Sequence, residues 1–399
     1  MKFLFAIFAL AAIAGATRAE AQESNFDAWL SGFRAEAAAA GIRTEIIDEA
    51  FEGLSINDRV YELNDNQPEF SRAIWDYLDR AVSQTRADNA RAKIAEYRSL
   101  LSLIEQAYGV DAEIIVAIWG LESSFGAILG DYDAIQALAT LAYDGRRTGY
   151  GRSQLIGALK IIQNGYAARS ELKGSWAGAM GHTQFIPTTY LAYAIDHDGD
   201  GRRDIWNNLG DVFASTANYL SVSGYRQNEA WGVEVRLPEA FDYALADGAV
   251  RKPLVEWAAL GAKSTNSESL LSRFDPNLRG RLILPAGARG PAFLAFPNFD
   301  AILKYNRSTA YALAVSLLSE EAAGRSSAVV SLWPRDDRPL SLDERKRLQQ
   351  ALADRGYDPG PVDGIIGAGT KKALRAWQKD TGLPADGYAS SAVLNALTP

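Results

Sequence analysis

From residue 24 to residue 175 apolar side chains recur three and four positions apart, and the pattern predicts one helix after another. FDAWLSGFRAEAAAAG and ADNARAKIAEYRSLLSLIEQAYG, rich in Ala, Leu, Ile and Glu, are the clearest examples. Between Trp231 and Phe299 the texture changes. WGVEVRLP, GRLILP and PAFLAF are short β-prone runs broken by Pro and Gly, and PAGARG is suited to turning a hairpin. Helical spacing returns from Phe299 to Ala322 and stops at Gly324. SSAVVSLWPRDDRP then reads as a linker.

Residues 341–399 form a unit of their own. Within it PVDGIIGAGTKKAL and PADGYASSAVLNAL echo each other, each with an Asp-Gly turn, a Ser/Thr helix cap and an apolar helix. Leu348, Leu352, Leu374, Trp377 and Leu394 are expected to fill one small core between three short helices. So little buried surface suits a docking module better than an enzyme. The pattern as a whole predicts an α+β protein, predominantly α. Its main body covers residues 22–325 with a β-rich part at 231–299, followed by a linker at 326–340 and the three-helix module at 341–399.

The first residues, MKFLFAIFALAAIAGATRAEAQ, break the amphipathic pattern. Lys2 is a short basic region, Phe3 to Gly15 an apolar stretch, and Ala19-Glu20-Ala21 a cleavage site, so residues 1–21 read as a secretory signal. The apolar run is too short for a membrane anchor. No later segment approaches a membrane span, so an exported, soluble, periplasmic chain is expected. Composition narrows this picture. There is no Cys, which excludes lipid attachment at a cysteine, and a chain of 399 residues can bury enough apolar surface without disulfides. The net charge is −8, and losing Lys2, Arg18 and Glu20 with the signal leaves −9, which argues against a nucleic-acid partner. His182 and His197 are the only histidines, with no HExxH pair and no GxSxG elbow. Carboxylates are left to carry the proton chemistry.

One carboxylate stands out. DAEIIVAIWGL runs as an apolar helix into GLESSFG, and Glu122 ends it. At 100° per residue Ile115 lies about 20° from Glu122, Ile118 about 40° and Trp119 about 60°, so the glutamate shares the face of the bulky apolar residues. Desolvation there favours the neutral acid, as a general acid at neutral pH requires. Glu113 points the opposite way, and Asp111 is about 16 Å along the axis. Two-carboxylate glycosidases need roughly 5 to 9.5 Å, so a single acid is the simplest reading. A buried structural glutamate remains the alternative on this segment alone.

Two further stretches carry chemistry. GSWAGAMGHTQFIPTTY, residues 174–190, combines small residues that permit close backbone approach with the amide of Gln184, and His182 there reads as a satisfied polar residue rather than a catalyst. DHDGDGRRDIWNNLGD, residues 196–211, opens like an EF-hand loop. Asp196, Asp198 and Asp200 alternate, Gly201 stands sixth and the Arg202 carbonyl seventh. Asp204 is ninth, where a ligand often binds through water. Asn207 at the twelfth position departs from the bidentate glutamate. A structural calcium ion, with no cofactor needed for chemistry, is the expectation, and a solvated Asp-Gly turn is the alternative on these residues.

Taken together, ESSFG, GSWAGAMGHTQFIP, the aspartate loop and FPNFDAILKYNRSTAYALAV resemble, in the same order over roughly residues 24 to 320, the lytic murein transglycosylase B family. The C-terminal LDERKRLQQALADRGYDPGPVDGIIGAGTKKALRAWQKDTGLPADG separately resembles a three-helix peptidoglycan-binding domain. The resemblance implies a lysozyme-like helical catalytic domain acting on peptidoglycan glycan strands. It also implies cleavage of the MurNAc–GlcNAc β-1,4 bond without water to leave a 1,6-anhydro-MurNAc end. By the match of ESSFG, Glu122 is implied as the lone acid/base. Ser175, Gln184, Tyr219, Tyr305, Asn306, Tyr311 and the upstream Tyr77 are implied as sugar contacts, and Asp211 as the residue that closes the calcium loop. Other cell-wall enzymes are further partners of the kind such a protein meets. A hydrolytic muramidase and a non-catalytic murein-binding scaffold are the two rival functions.

Overall fold

The structure, a computed structural model, describes residues 25–65, 73–143, 147–246, 248–266, 268–325 and 329–398. The export signal expected over residues 1–21 and the start of the expected linker lie outside the described residues. In chain order the first helices are α1 (25–39), α2 (Thr44–Phe51), α3 (Asp58–Asp65), α4 (Ile74–Ala81), α5 (Gln84–Glu96), α6 (Arg98–Tyr108) and α7 (Ala112–Ser123). A two-residue strand β1 (Tyr132–Asp133), helices α8 (Ala134–Tyr143) and α9 (Thr148–Gln163), and β2 (Lys173–Gly174) follow, then α10 (Pro187–Tyr193) and α11 (Leu209–Val222). The chain divides into two compact units, Met1–Gln67 with Ile118–Tyr219, and Pro68–Ala117 with Leu220–Pro399.

In the first unit α8 is the central element. Its sequence, AIQALATLAY, is apolar on nearly every side, and Ala134 through Ala142 are buried apart from Gln136. A helix without a polar face has to be covered all round. It packs along α9, and α9 also takes α10 and α2 against its flanks. Antiparallel pairing of Tyr132 with Gly174 and of Asp133 with Lys173 closes a short ribbon ahead of α8.

The second unit carries the β-rich part. Strands β3 (Gly232–Arg236), β4 (Lys252–Pro253), β5 (Lys263–Ser264), β6 (Arg279–Ile283) and β7 (Ala292–Ala295) form one antiparallel sheet in the order β4-β6-β7-β3-β5. The three β-prone runs read from the sequence are β3, β6 and β7, and the predicted PAGARG turn joins β6 to β7, with Ile283 opposite Phe293. Central β7 is buried at every position, which is why it reads as an unbroken apolar run. The sequence reading missed two helices in this segment, α12 (Leu254–Ala259) and α13 (Leu270–Arg273). Both are too short to display a 3.6-residue period. α12 earns its place by tertiary contact: Trp257 is fully buried and its Nε1–H donates to the Gly280 carbonyl at 3.0 Å.

The helical stretch expected from Phe299 to Ala322 is two helices, α14 (Pro297–Tyr305) and α15 (Thr309–Ala322). Asn306 ends the first in an extended conformation, and Ser308 begins the second by accepting the Tyr311 amide on its hydroxyl. The C-terminal module consists of α16 (Leu342–Asp354), α17 (Ala368–Asp380) and α18 (Ser391–Leu397). All five predicted core residues are buried in it. Its internal echo has a structural basis. The Gln349 side-chain oxygen accepts the Gly364 amide, and that of Gln378 accepts the Gly387 amide, so each Asp-Gly turn hangs from a helix glutamine. The expected Ser/Thr cap holds for α18, where Ser390 accepts from the Val393 amide, but α17 starts at Gly367 without a side-chain cap. Thr370, the expected cap, instead turns inward and donates to the Pro359 carbonyl. Among the described residues no helix is long and apolar enough to cross a membrane.

Candidate active site

Glu122 stands in the last turn of α7. Ile115 and Ile118 below it are fully buried and Trp119 is 3% exposed, while Glu122 itself is half-buried. The chain then enters an uncommon conformation. Ser124, Phe125 and Gly126 have φ values of 50°, 59° and 87°, three left-handed residues in succession. For a residue with a Cβ this region costs roughly 1–2 kcal/mol, so surrounding contacts must impose it.

Those contacts fold the turn back onto the helix. The Phe125 amide donates to the Trp119 carbonyl at 3.3 Å, and the Phe125 ring meets the Trp119 indole edge-on at 5.6 Å. The same ring covers Gly120 so closely that a Cβ there would lie 2.6 Å from it. Ser123, almost fully buried, donates its hydroxyl to the Trp119 carbonyl and accepts the Gly126 amide. Ser123 thus caps the end of α7.

His182 joins this assembly from the Gly-Ala motif. Its Nδ1 lies 2.8 Å from Trp119 Nε1, and its Nε2 lies 3.1 Å from the Trp206 carbonyl. The imidazole rests against Gly126, where a Cβ would approach it to 2.3 Å. Burial pushes the imidazole below its ordinary range, against the opposing pull of the Trp206 carbonyl and the Asp204 charge. The sequence reading of a satisfied polar residue holds, and the structure adds what satisfies it.

The rest of the motif is a compact ribbon bridged at Gly174–Met180 and Met180–Phe185. Ser175 is half-buried, and its hydroxyl accepts the Ala179 amide. Gln184 is held at a φ of 49°, and its side-chain amide donates to the carbonyls of Leu129 and Gly181. Both donors are spent on backbone, which ties the motif to the loop after Glu122 and leaves Oε1 as the atom with acceptor capacity. Tyr219, half-buried on α11, sits 4.7 Å from Tyr193 and 5.8 Å from Phe185, ring centre to ring centre.

The remaining aromatic candidates belong to the second unit. Tyr77 is half-buried on α4. Tyr305 and Asn306 stand at the break between α14 and α15, where the Asn306 side chain accepts the Ser308 amide. Tyr311 is only 5% exposed and stacks almost parallel on Tyr305, at 6.5 Å and 10°. It backs Tyr305.

In the aspartate loop, carboxylate oxygens of Asp196, Asp198 and Asp211 lie within 4.8 Å of one another. Asp211 is fully buried in the first turn of α11 and accepts the amides of His197 and Asp204, at 2.8 and 2.6 Å. Burial first, and then the charges of Asp198 and Asp196, push its carboxyl above the usual carboxylate range, although both amides pull the other way. Asp200 accepts the Arg202 amide, and the Arg202 side chain pairs with Glu171 at 2.6 Å. Asp204 serves as a turn cap, taking the amides of Trp206 and Asn207. Sequence reasoning missed Phe125 and the Trp119–His182 pair. The available signal was the pair of glycines, 120 and 126, on either side of an aromatic residue.

Comparison with known proteins identifies the class. Residues 25–320 match the family model described as the Transglycosylase SLT domain, and residues 341–397 match that of a peptidoglycan binding domain. Helical body, β-rich part and C-terminal module together define a peptidoglycan lytic transglycosylase. Over 281 residues the chain is 32% identical to membrane-bound lytic murein transglycosylase B of Escherichia coli strain K12, covering 67% of this chain and 74% of that protein. SltB3 of Pseudomonas aeruginosa, solved in complex with NAG-anhNAM-pentapeptide, superposes with a TM-score of 0.90 at 50% identity, covering 94% of this chain and 99% of that one. An Escherichia coli lytic transglycosylase solved in complex with calcium has a TM-score of 0.62 at 28% identity, over 76% of this chain and 93% of that one. The chain belongs to the lytic murein transglycosylase B family.

Proposed function

We propose that the enzyme cleaves the MurNAc–GlcNAc β-1,4 bond of peptidoglycan without water, with Glu122 as the acid and then the base. The observation that carries this reading is the half-buried Glu122 at the end of a buried apolar helix, capped by three left-handed residues. Glu122 first gives its proton to the departing GlcNAc oxygen. The N-acetyl carbonyl of the MurNAc stabilises the cation forming at C1, the part a second carboxylate plays in other glycosidases. Ionised Glu122 then takes the proton of the C6 hydroxyl as that oxygen bonds to C1. An anhydro ring closes, and no water is consumed. Apolar walls suit this sequence because a water near C1 would compete with the tethered hydroxyl.

Gln184 Oε1 and the Ser175 hydroxyl serve as hydrogen-bonding groups for sugar hydroxyl or N-acetyl groups. Tyr219 adds a ring face and a polar tip to these. Within the second unit, taken by itself, Tyr77, Tyr305 and Asn306 are the proposed sugar contacts, with Tyr311 stacked behind Tyr305. Mass spectrometry of muropeptides released from purified sacculi tests the reaction. Products lighter by one water than reducing-end sugars are expected, and reducing ends alone would make the enzyme a hydrolase.

The donor set of the aspartate loop fits a hard cation. Asp196, Asp198 and Asp211, with Asp200 and the Arg202 carbonyl, would hold calcium, whose charge offsets the crowded carboxylates and braces the loop. It takes no part in the proton transfers. Calcium in large excess over its Kd should raise thermal stability relative to the chelated protein, by about 2.7 kcal/mol at a hundredfold excess. An unchanged melting temperature at millimolar calcium would remove the site. A murein substrate also supports export to the periplasm, as the N-terminal sequence suggests.

A further inference from the structure

We infer that His182 is a positioning residue for Glu122, resting on the reading of Glu122 as the acid/base. The tautomer is fixed by its neighbours. An indole N–H can only donate, so Nδ1 accepts from Trp119. A carbonyl can only accept, so Nε2 carries the proton and donates to Trp206. One neutral ring thereby joins three segments. Trp119 lies one helical turn before Glu122, Gly126 closes the left-handed turn after it, and Trp206 belongs to the aspartate loop. The His182 amide adds a bond to the Ile205 carbonyl at 2.9 Å.

The lock acts on the catalytic residue from both sides. The Trp119 indole packs between Phe125 and Phe213, with ring centres 5.6 and 5.0 Å away, and His182 holds its N–H end. Phe125 has left-handed backbone that surrounding contacts must hold, and the imidazole lies directly over Gly126 beside it. Without the imidazole, the turn and the indole that flank Glu122 in the chain lose a shared support, and Glu122 is placed less well. His182 touches no reacting atom in this scheme, so the loss falls on turnover and not on sugar affinity.

The test compares His182→Leu, His182→Asn and Trp119→Phe on soluble peptidoglycan glycan oligomers, with melting curves for each. Asparagine returns an acceptor oxygen close to the position of Nδ1, whereas leucine returns none. His182→Leu is expected to lower kcat about 10- to 100-fold, the scale of a small misplacement of a catalytic group, with KM within about twofold. His182→Asn should recover most of that loss. Trp119→Phe removes the other half of the bond and keeps an aromatic ring, so it probes the lock even if the leucine variant folds poorly. Its loss should not add to that of His182→Leu in the double variant. Near-normal kcat in both His182→Leu and Trp119→Phe, a loss confined to KM, or an asparagine variant as slow as the leucine variant would each overturn the proposal. Glu122→Gln run in parallel separates the layers. If it is inactive while His182→Leu is fast, only the positioning role falls; if it keeps its rate, the acid assignment falls as well.

Discussion

Glu122→Gln should abolish almost all lytic turnover, by about 10² to 10⁴-fold, the range a positioned general acid/base contributes. The substitution keeps the size and the hydrogen-bonding reach of the side chain, so the buried Ile118 and Trp119 on the turn before it are left undisturbed. What it removes is the proton. In the proposed scheme one group acts twice, protonating the leaving oxygen and deprotonating the C6 hydroxyl, and glutamine does neither. The check is muropeptide release from purified sacculi together with a melting curve. Loss of release with unchanged melting supports the assignment. Release at near-normal rate would mean that another group delivers the proton and that the half-buried glutamate is structural.

The second large effect is expected at Asp211. Its carboxylate is fully inaccessible and takes two backbone amides, one from each arm of the aspartate loop. Asp211→Ala leaves both amides without their acceptor in a buried place, and the expected loss is about 3 kcal/mol. The sign of the pH effect follows from the raised carboxyl. Because the folded protein holds this proton more tightly than the unfolded chain, the group's contribution to stability is present at low pH. It is lost as pH rises through the folded value. A bound cation would offset the crowding of Asp211 with the charges of Asp198 and Asp196. Asp211→Asn should keep one acceptor and lose less stability, yet both variants should lose the calcium-dependent rise in melting temperature. A calcium response that survives in Asp211→Ala would exclude this residue from the site.

How far the site was legible depended on what kind of signal each residue carries. Glu122 was visible because a carboxylate on an apolar helical face violates the local pattern, and such violations survive in one dimension. The aspartate loop was visible because its alternating acids and its glycine match the spacing of a calcium-binding loop. Of its expected members the structure gathers Asp196, Asp198 and Asp211, the last of which no local spacing announced. Tyr311 was named as a sugar contact from the resemblance alone, and its burial behind Tyr305 is a matter of two helices meeting at a break. That break, at Asn306 to Ser308, falls inside apolar spacing that reads as continuous.

The amino-acid sequence by itself determined the texture of this protein: a helical body, three β-prone runs that became β3, β6 and β7, and a C-terminal module with its five core residues. Periodicity carried those elements because each buries one face or both in a way that repeats along its own length. Only the tertiary structure decided the short helix around Trp257, the inward turn of Thr370 and the partners of His182. Those features rest on a few contacts between residues that are not neighbours in the chain, and no local pattern encodes a partner that folding alone brings within hydrogen-bonding distance.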